Sequence, residues 1–166
     1  MEWTCARCGA VHRDLPLDFA FDQPHYWSPE YEQAGRGRLT SDLCVIEHAE
    51  GKDFFVRGLL ELPVPELRSR FAYGIWTTLS ERNFDRMVAL WDDPELLAEP
   101  PYFGWVANSV PGYPETLNLK SQLRFTSLAR RPSVTLESSA HPLAREQHDG
   151  IGLERVRELA ESNLHG

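Results

Sequence analysis

The chain has 166 residues, enough for one domain whose hydrophobic core needs neither metal nor disulfide merely to be stable. Its 17 Lys+Arg against 25 Asp+Glu leave a formal charge of −8, which repels phosphate backbones and anionic lipid surfaces. The longest basic clusters, at 35–38 and 129–131, are too short to reverse that field, so neither nucleic acid nor membrane is an expected partner. No apolar stretch approaches the length of a bilayer span, and the chain does not open on a charged-then-apolar leader, which points to the cytoplasm. Three cysteines, an odd number in a reducing compartment, argue against a disulfide framework.

In chain order, the first element is the stretch WTCARCGAVH at 3–12. Cys5 and Cys8, with two residues between them and followed by Gly9, have the form of a zinc knuckle: both sulfurs turn toward one point, and glycine permits the left-handed backbone this requires. A redox pair would open a helix after a strand, and this one does neither. Residues 13–42 then form an aromatic, Pro-rich arm, with Phe19, Phe21, Tyr26, Trp27 and Tyr31 predicted to lie on the body of the domain. Within it Ser28 as N-cap, Pro29 at the first helical position and Gly35 as a stop predict a turn or two of helix.

From Leu43 the signals are those of strands. LCVIEH and DFFVRGLLELPV, separated by Ala49-Glu50-Gly51-Lys52, read as a hairpin, and FAYGIWTTL follows at 71–79. LNLKSQLRF alternates most clearly: Leu117, Leu119, Leu123 and Phe125 are expected inside, and Lys120, Gln122 and Arg124 in water. SVTLE at 133–137 repeats the pattern. Half-wet strands joined by short turns predict antiparallel pairing. Two helices are expected, one after Ser80 with Phe84, Met87, Val88 and Trp91 on a face, the other with Leu153, Val156, Ala160 and Leu164 on a stripe. The predicted fold is a single α+β domain over 1–166. A knuckle at 1–12 and the arm at 13–42 precede a body at 43–166, an antiparallel sheet of about five to six strands with two helices.

A closed zinc site needs four ligands, and a second Cys-x-x-Cys is absent. The remaining candidates are Cys44 and the six histidines. Cys44 and His48 share a strand face but lie roughly 13 Å apart at about 3.3 Å per residue, so they serve neither one ion nor a nucleophile pair. The expected set is therefore Cys5, Cys8, His12 and Cys44; the competing reading makes Cys44 a small buried apolar residue and His12 a surface loop residue. No nucleophile elbow, His-Glu-x-x-His, P-loop or dinucleotide-binding glycine pattern occurs, and HPLAREQH is as well explained by a turn entering a helix.

The segment PPYFGWVANSVPGYPETLNLK at 100–120 places Trp105, Asn108, Tyr113 and Asn118 among Pro and Gly turns, flat apolar walls with directional amides that suit a ligand cleft. Aromatics sealing a sheet edge and asparagines satisfying turns would look the same. Arg57, inside the apolar run FFVRGLLEL, is the cation expected to be partly enclosed. Asp42 or another carboxylate beside it would make it structural; without one it is free for an anionic group of a ligand. Glu61 on the same strand face is too far along to pair automatically.

The succession CARCG, SDLC, FFVRG, TLSERNF, LWDDP, PPYFGW, PGYPETLNLK and HPLAREQ resembles the bacterial family called domain of unknown function 2199, over nearly the full length. The resemblance implies a small bacterial cytosolic protein and carries no activity.

Three functions follow. The first is a zinc-stabilised binding module in which the 102–118 segment meets a small molecule or protein. The second is a zinc-dependent hydrolase with three protein ligands and an open position for water. The third is a metal-free protein-interaction partner that offers its acidic surface to a basic one.

Overall fold

A computed structural model describes residues 1–166. The knuckle segment forms a two-stranded antiparallel ribbon, β1 (Trp3–Thr4) against β2 (Val11–His12). The arm contributes β3 (Asp18–Ala20), α1 (Pro29–Gln33) and β4 (Gly37–Leu39). Then come β5 (Leu43–His48), β6 (Gly51–Val64), β7 (Ser69–Leu79), α2 (Glu81–Ala89), β8 (Tyr102–Trp105), β9 (Lys120–Arg124), β10 (Ser133–Leu136), α3 (Pro142–Asp149) and α4 (Leu153–Leu164).

Local signals set most of these elements. The Ser28 hydroxyl caps α1 by accepting from Glu30 N–H, and the Ser80 hydroxyl caps α2 by accepting from Asn83 N–H. The β5–β6 hairpin pairs Leu43 with Val56 and closes at His48 opposite Gly51.

The main sheet has eight strands and is mixed, which corrects the expectation of an antiparallel sheet of five to six strands. The long β6–β7 hairpin is antiparallel from Phe54↔Leu79 to Val64↔Ser69, as its short connection through Pro65–Leu67 requires. Two pairings are parallel: β3 runs beside β7 with Asp18 opposite Ala72, and β10 beside β6 with Ser133 opposite Leu59. Both are brief, and both join segments that come together only after the chain has folded back. β6 is long enough to hold two neighbours on one edge, β5 along its first half and β10 beyond it.

The sheet then closes on itself. Past β8, Val106 bridges Thr77 of β7, and Ala107 N–H donates to Trp76 O at 2.8 Å. Gly104 makes this possible, since a Cβ there would run into the Thr78 carbonyl. The closed sheet encloses Val56, Leu60, Leu62, Phe71, Tyr73, Ile75 and Leu123, and Met87 of α2, Leu143 of α3 and Val156 and Leu159 of α4 join the same core.

The outer face of β5–β7 is covered as well. Trp27 of the arm packs over Cys44, Ile46, Phe55, Trp76 and Ala107, so β6 is buried on both faces from Phe54 to Gly58. The aromatic arm therefore lies on the body of the domain, as its composition predicted. Four helices form: the short α1 expected after Ser28, the expected pair α2 and α4, and the His141-capped α3, which is additional.

The register of β9 holds from Leu119 onward. Leu123 and Phe125 are buried, Lys120 and Arg124 exposed, and Gln122 half-buried, its amide donating to Glu137 at 3.1 Å. Ser121, the polar residue on the dry side, is fully buried and donates its hydroxyl to Gly104 O at 2.9 Å. Leu117 departs from the prediction. It precedes the strand in a turn, where Asn118 takes a left-handed φ of 66°, and is only half-buried. Val88 and Trp91, predicted on the buried face of α2, are exposed, as is Leu164 of α4, while Leu159 is buried instead.

Candidate metal centre

Between β1 and β2 the chain makes the tight turn that the cysteine spacing implies. Cys5 N–H donates to Ala10 O at 2.9 Å, and Gly9 N–H returns to Cys5 O at 2.9 Å, with Gly9 at φ +71°. The turn brings the sulfurs of Cys5 and Cys8 and a ring nitrogen of His12 within 4.8 Å of one another. Cys5 is fully buried, His12 half-buried and Cys8 exposed. The His12 ring stacks on Trp3 with centroids 4.8 Å apart, which fixes its plane, and its Nε2 is enclosed without a hydrogen-bond partner. A buried, unpaired imidazole nitrogen is costly unless a ligand engages it.

Two thiolates and an imidazole at this spacing are ligands that a metal ion of borderline softness accepts. Three of the four expected ligands are therefore together. The fourth is not: Cys44 sits on β5, 1 % exposed among Trp27, Ile46, Phe55 and Trp76, while Cys5 belongs to a separate cluster with Trp3 and Ala160. Burial pushes the Cys44 thiol up to about 12, so it stays protonated and behaves as a small apolar side chain. Alternation along β5 sends Cys44 into the outer layer, away from the knuckle.

The residues expected to line a ligand cleft are dispersed. Asn108 is 3 % exposed and occupied: its Oδ1 accepts from Trp76 N–H at 2.8 Å and its amide donates to Gln23 O at 3.0 Å. Tyr113 donates its hydroxyl to Glu146, whose other oxygen accepts from Arg155 Nε at 2.9 Å, and the Arg155 guanidinium lies 4.9 Å from the Tyr113 ring centre. Burial, and then the hydrogen bond to Glu146, push the Tyr113 hydroxyl well above the usual tyrosine range. This group ties the 110–116 loop to α3 and α4. Asn118 is exposed in its turn, and Trp105 is exposed on β8 beside Phe103, at 5.1 Å between rings, with Lys120 Nζ 5.9 Å from its centre.

Arg57 is 8 % exposed on the outer face of β6. Its carboxylate partner is Asp22, at 3.6 Å and itself almost wholly exposed; it also donates to Ser41 O at 3.4 Å and lies 6.0 Å from the Trp76 ring centre, while Nε has no partner. Burial lowers its affinity for the proton, and Arg131 adds to this. Asp42 binds Arg131 instead, at 2.9 Å, and Glu61 binds Arg70 and Arg130. His141, in HPLAREQH, caps α3 by accepting from Leu143 N–H at 3.1 Å.

Sequence reasoning passed over one surface depression that combines apolar and charged side chains. This is a depression of about 430 Å³ lined by Trp91, Leu96, Phe125, Arg130, Arg131 and Asp42. Trp91 was read as a core residue, and only its exposure marks the site.

The fold and the knuckle define a mixed α+β protein with a Cys-Cys-His cluster against its last helix, and no helix is long and apolar enough to cross a membrane. The chain belongs to the family described as "Uncharacterized protein conserved in bacteria (DUF2199)", which matches residues 4–151. No curated protein and no solved structure matches it.

Proposed function

We propose that this is a zinc-stabilised binding module of the bacterial cytoplasm, in which Cys5, Cys8 and His12 hold one metal ion that pins the knuckle to the body of the domain. The convergence of two sulfurs and an imidazole within 4.8 Å carries this reading. Zinc is the metal that such a borderline-soft donor set favours, and sulfur-rich sites are more often structural than catalytic. Three unpaired thiols are what a reducing compartment preserves.

Elemental analysis of protein purified without chelator should return one zinc per chain, and Cys5→Ser and Cys8→Ser should each abolish it. Wild-type protein without stoichiometric metal would overturn the reading.

The binding role rests on Trp105, whose indole is exposed on β8 and makes no side-chain hydrogen bond. Small planar ligands should quench tryptophan fluorescence in the wild type and bind less tightly to Trp105→Phe. Hits indifferent to that change would place binding elsewhere, and an absence of hits would favour a protein partner for the acidic surface.

A second reading, a zinc-dependent hydrolase, draws on the exposure of Cys8, which leaves one side of the three-ligand cluster facing water. It requires chelator-sensitive turnover of activated esters or phosphoesters.

A further inference from the structure

A three-ligand cluster leaves open what completes the metal's coordination: water, as in a catalytic centre, or a fourth side chain, as in a structural one. The answer lies at the far end of the sequence. Helix α4 carries the knuckle on its surface, with Ala160 fully buried against Trp3 and Cys5. One residue on, the Glu161 carboxylate accepts Ala6 N–H at 2.6 Å, so the backbone between the two cysteines is held to this helix. His165 follows Glu161 by four residues, one helical turn, and its N–H closes that turn on Glu161 O at 3.2 Å. It is therefore presented on the same face, and its Nε2 lies 3.2 Å from the Cys5 sulfur.

That separation is close to what shared coordination requires. A thiolate and an imidazole bound to one tetrahedral zinc, at about 2.3 Å and about 2.0 Å, lie ~3.6 Å apart, a few tenths of an ångström beyond the contact observed. A hydrogen bond between sulfur and imidazole accounts for the same contact without an ion, but it leaves the enclosed His12 Nε2 unpartnered. A metal at the Cys5, Cys8 and His12 cluster takes a ring nitrogen of His12, and His165, which reaches that cluster through its contact with the Cys5 sulfur, supplies the next imidazole.

We propose that His165 is the fourth metal ligand, and that the centre is a closed Cys2His2 site joining the knuckle to the end of α4. This rests on the metal reading of Cys5, Cys8 and His12 and deepens it: a closed site fastens the knuckle to α4 and leaves no position for a catalytic water. Residue 165 lies outside the 4–151 span matched by the family.

Cobalt(II) tests this on the full-length chain, since its visible bands report tetrahedral geometry and its near-ultraviolet charge-transfer bands count thiolates. Wild type should bind one cobalt with an intense four-coordinate spectrum. His165→Ala should weaken binding by more than about 100-fold, beyond the range that loss of an outer-sphere contact alone costs, and should lose band intensity as water enters. His165→Cys should restore the tetrahedral bands with added charge-transfer absorption. Glu161→Ala, which loosens the same junction without removing a ligand, should keep the wild-type spectrum. A wild-type spectrum and affinity in His165→Ala would overturn the fourth ligand and leave the three-residue site standing. Failure of the wild type to bind cobalt at all would overturn both.

Discussion

Replacing Asn108 by alanine removes the one side chain that joins the arm, β7 and the 106–118 segment. Its Oδ1 accepts from the backbone N–H of Trp76, a residue with no exposed surface, and its amide donates to Gln23 O. The two losses are unequal. Gln23 is exposed, so its carbonyl can turn to water, whereas the Trp76 N–H is left buried without a partner. An unsatisfied buried donor costs about 1–3 kcal/mol and the second lost hydrogen bond about 1 kcal/mol, so Asn108→Ala should destabilise by about 2–4 kcal/mol. In a chain of this size that lowers the melting temperature by roughly 6–12 °C. Urea unfolding followed by tryptophan fluorescence measures the change. Asn118→Gly is the control, since Asn118 is exposed at φ +66°, where glycine fits freely, and its effect should stay within about 0.5 kcal/mol. A loss below about 1 kcal/mol for Asn108→Ala would refute the reasoning. Normal stability combined with lost ligand affinity would return Asn108 to the binding role that its position in the sequence suggested.

Three further outcomes are expected. Leu123→Ala, at a residue 1 % exposed in the core, should cost about 2–5 kcal/mol by urea unfolding, Leu119→Ala distinctly less because that residue is half-buried, and Gln122→Ala within about 0.5 kcal/mol; equal costs would contradict the register of β9. The Cys44 thiol is raised from 9.0 to about 12 by burial, so its contribution to stability is fully present below pH 9 and is lost as pH rises toward 12. Alkaline unfolding should therefore be less steep in Cys44→Ala across that window, and identical profiles would argue that Cys44 does not titrate with unfolding. Stripping the metal with a chelator should free the β1–β2 ribbon while leaving the barrel core intact, so trypsin should cut sooner at Arg7 and Arg13 with little change in the main unfolding transition; unchanged cleavage would show that the ion does not order the knuckle.

What the sequence determined by itself was local. β-rich runs bounded by turn residues located β5, β6 and β7, and period-2 alternation located β9 and β10, because a strand with one dry face must alternate whatever its neighbours are. Ser28 and Ser80 announced the starts of α1 and α2 because capping is settled within one turn, and Gly9 marked the left-handed turn of the knuckle. Cys5, Cys8 and His12 were legible as a cluster for the same reason, lying within eight residues in a ribbon too short to separate them.

What tertiary structure decided involves segments distant in the chain. The parallel pairings of β3 with β7 and β10 with β6 leave no imprint on alternation, and closure of the sheet depends on Gly104 meeting Thr78, a contact no local pattern announces. Cys44 and His165 show the limit most clearly. Both were available as fourth ligands, and spacing favours neither, because one sits 36 residues beyond Cys8 and the other 160 beyond Cys5. Burying the outer face of β5 under Trp27 removed Cys44, and docking α4 through Val156, Leu159 and Ala160 carried His165 to the Cys5 sulfur. Ligands converge where packed surfaces place them, and that packing is set by apolar area buried across the whole chain rather than by the spacing of the ligands themselves.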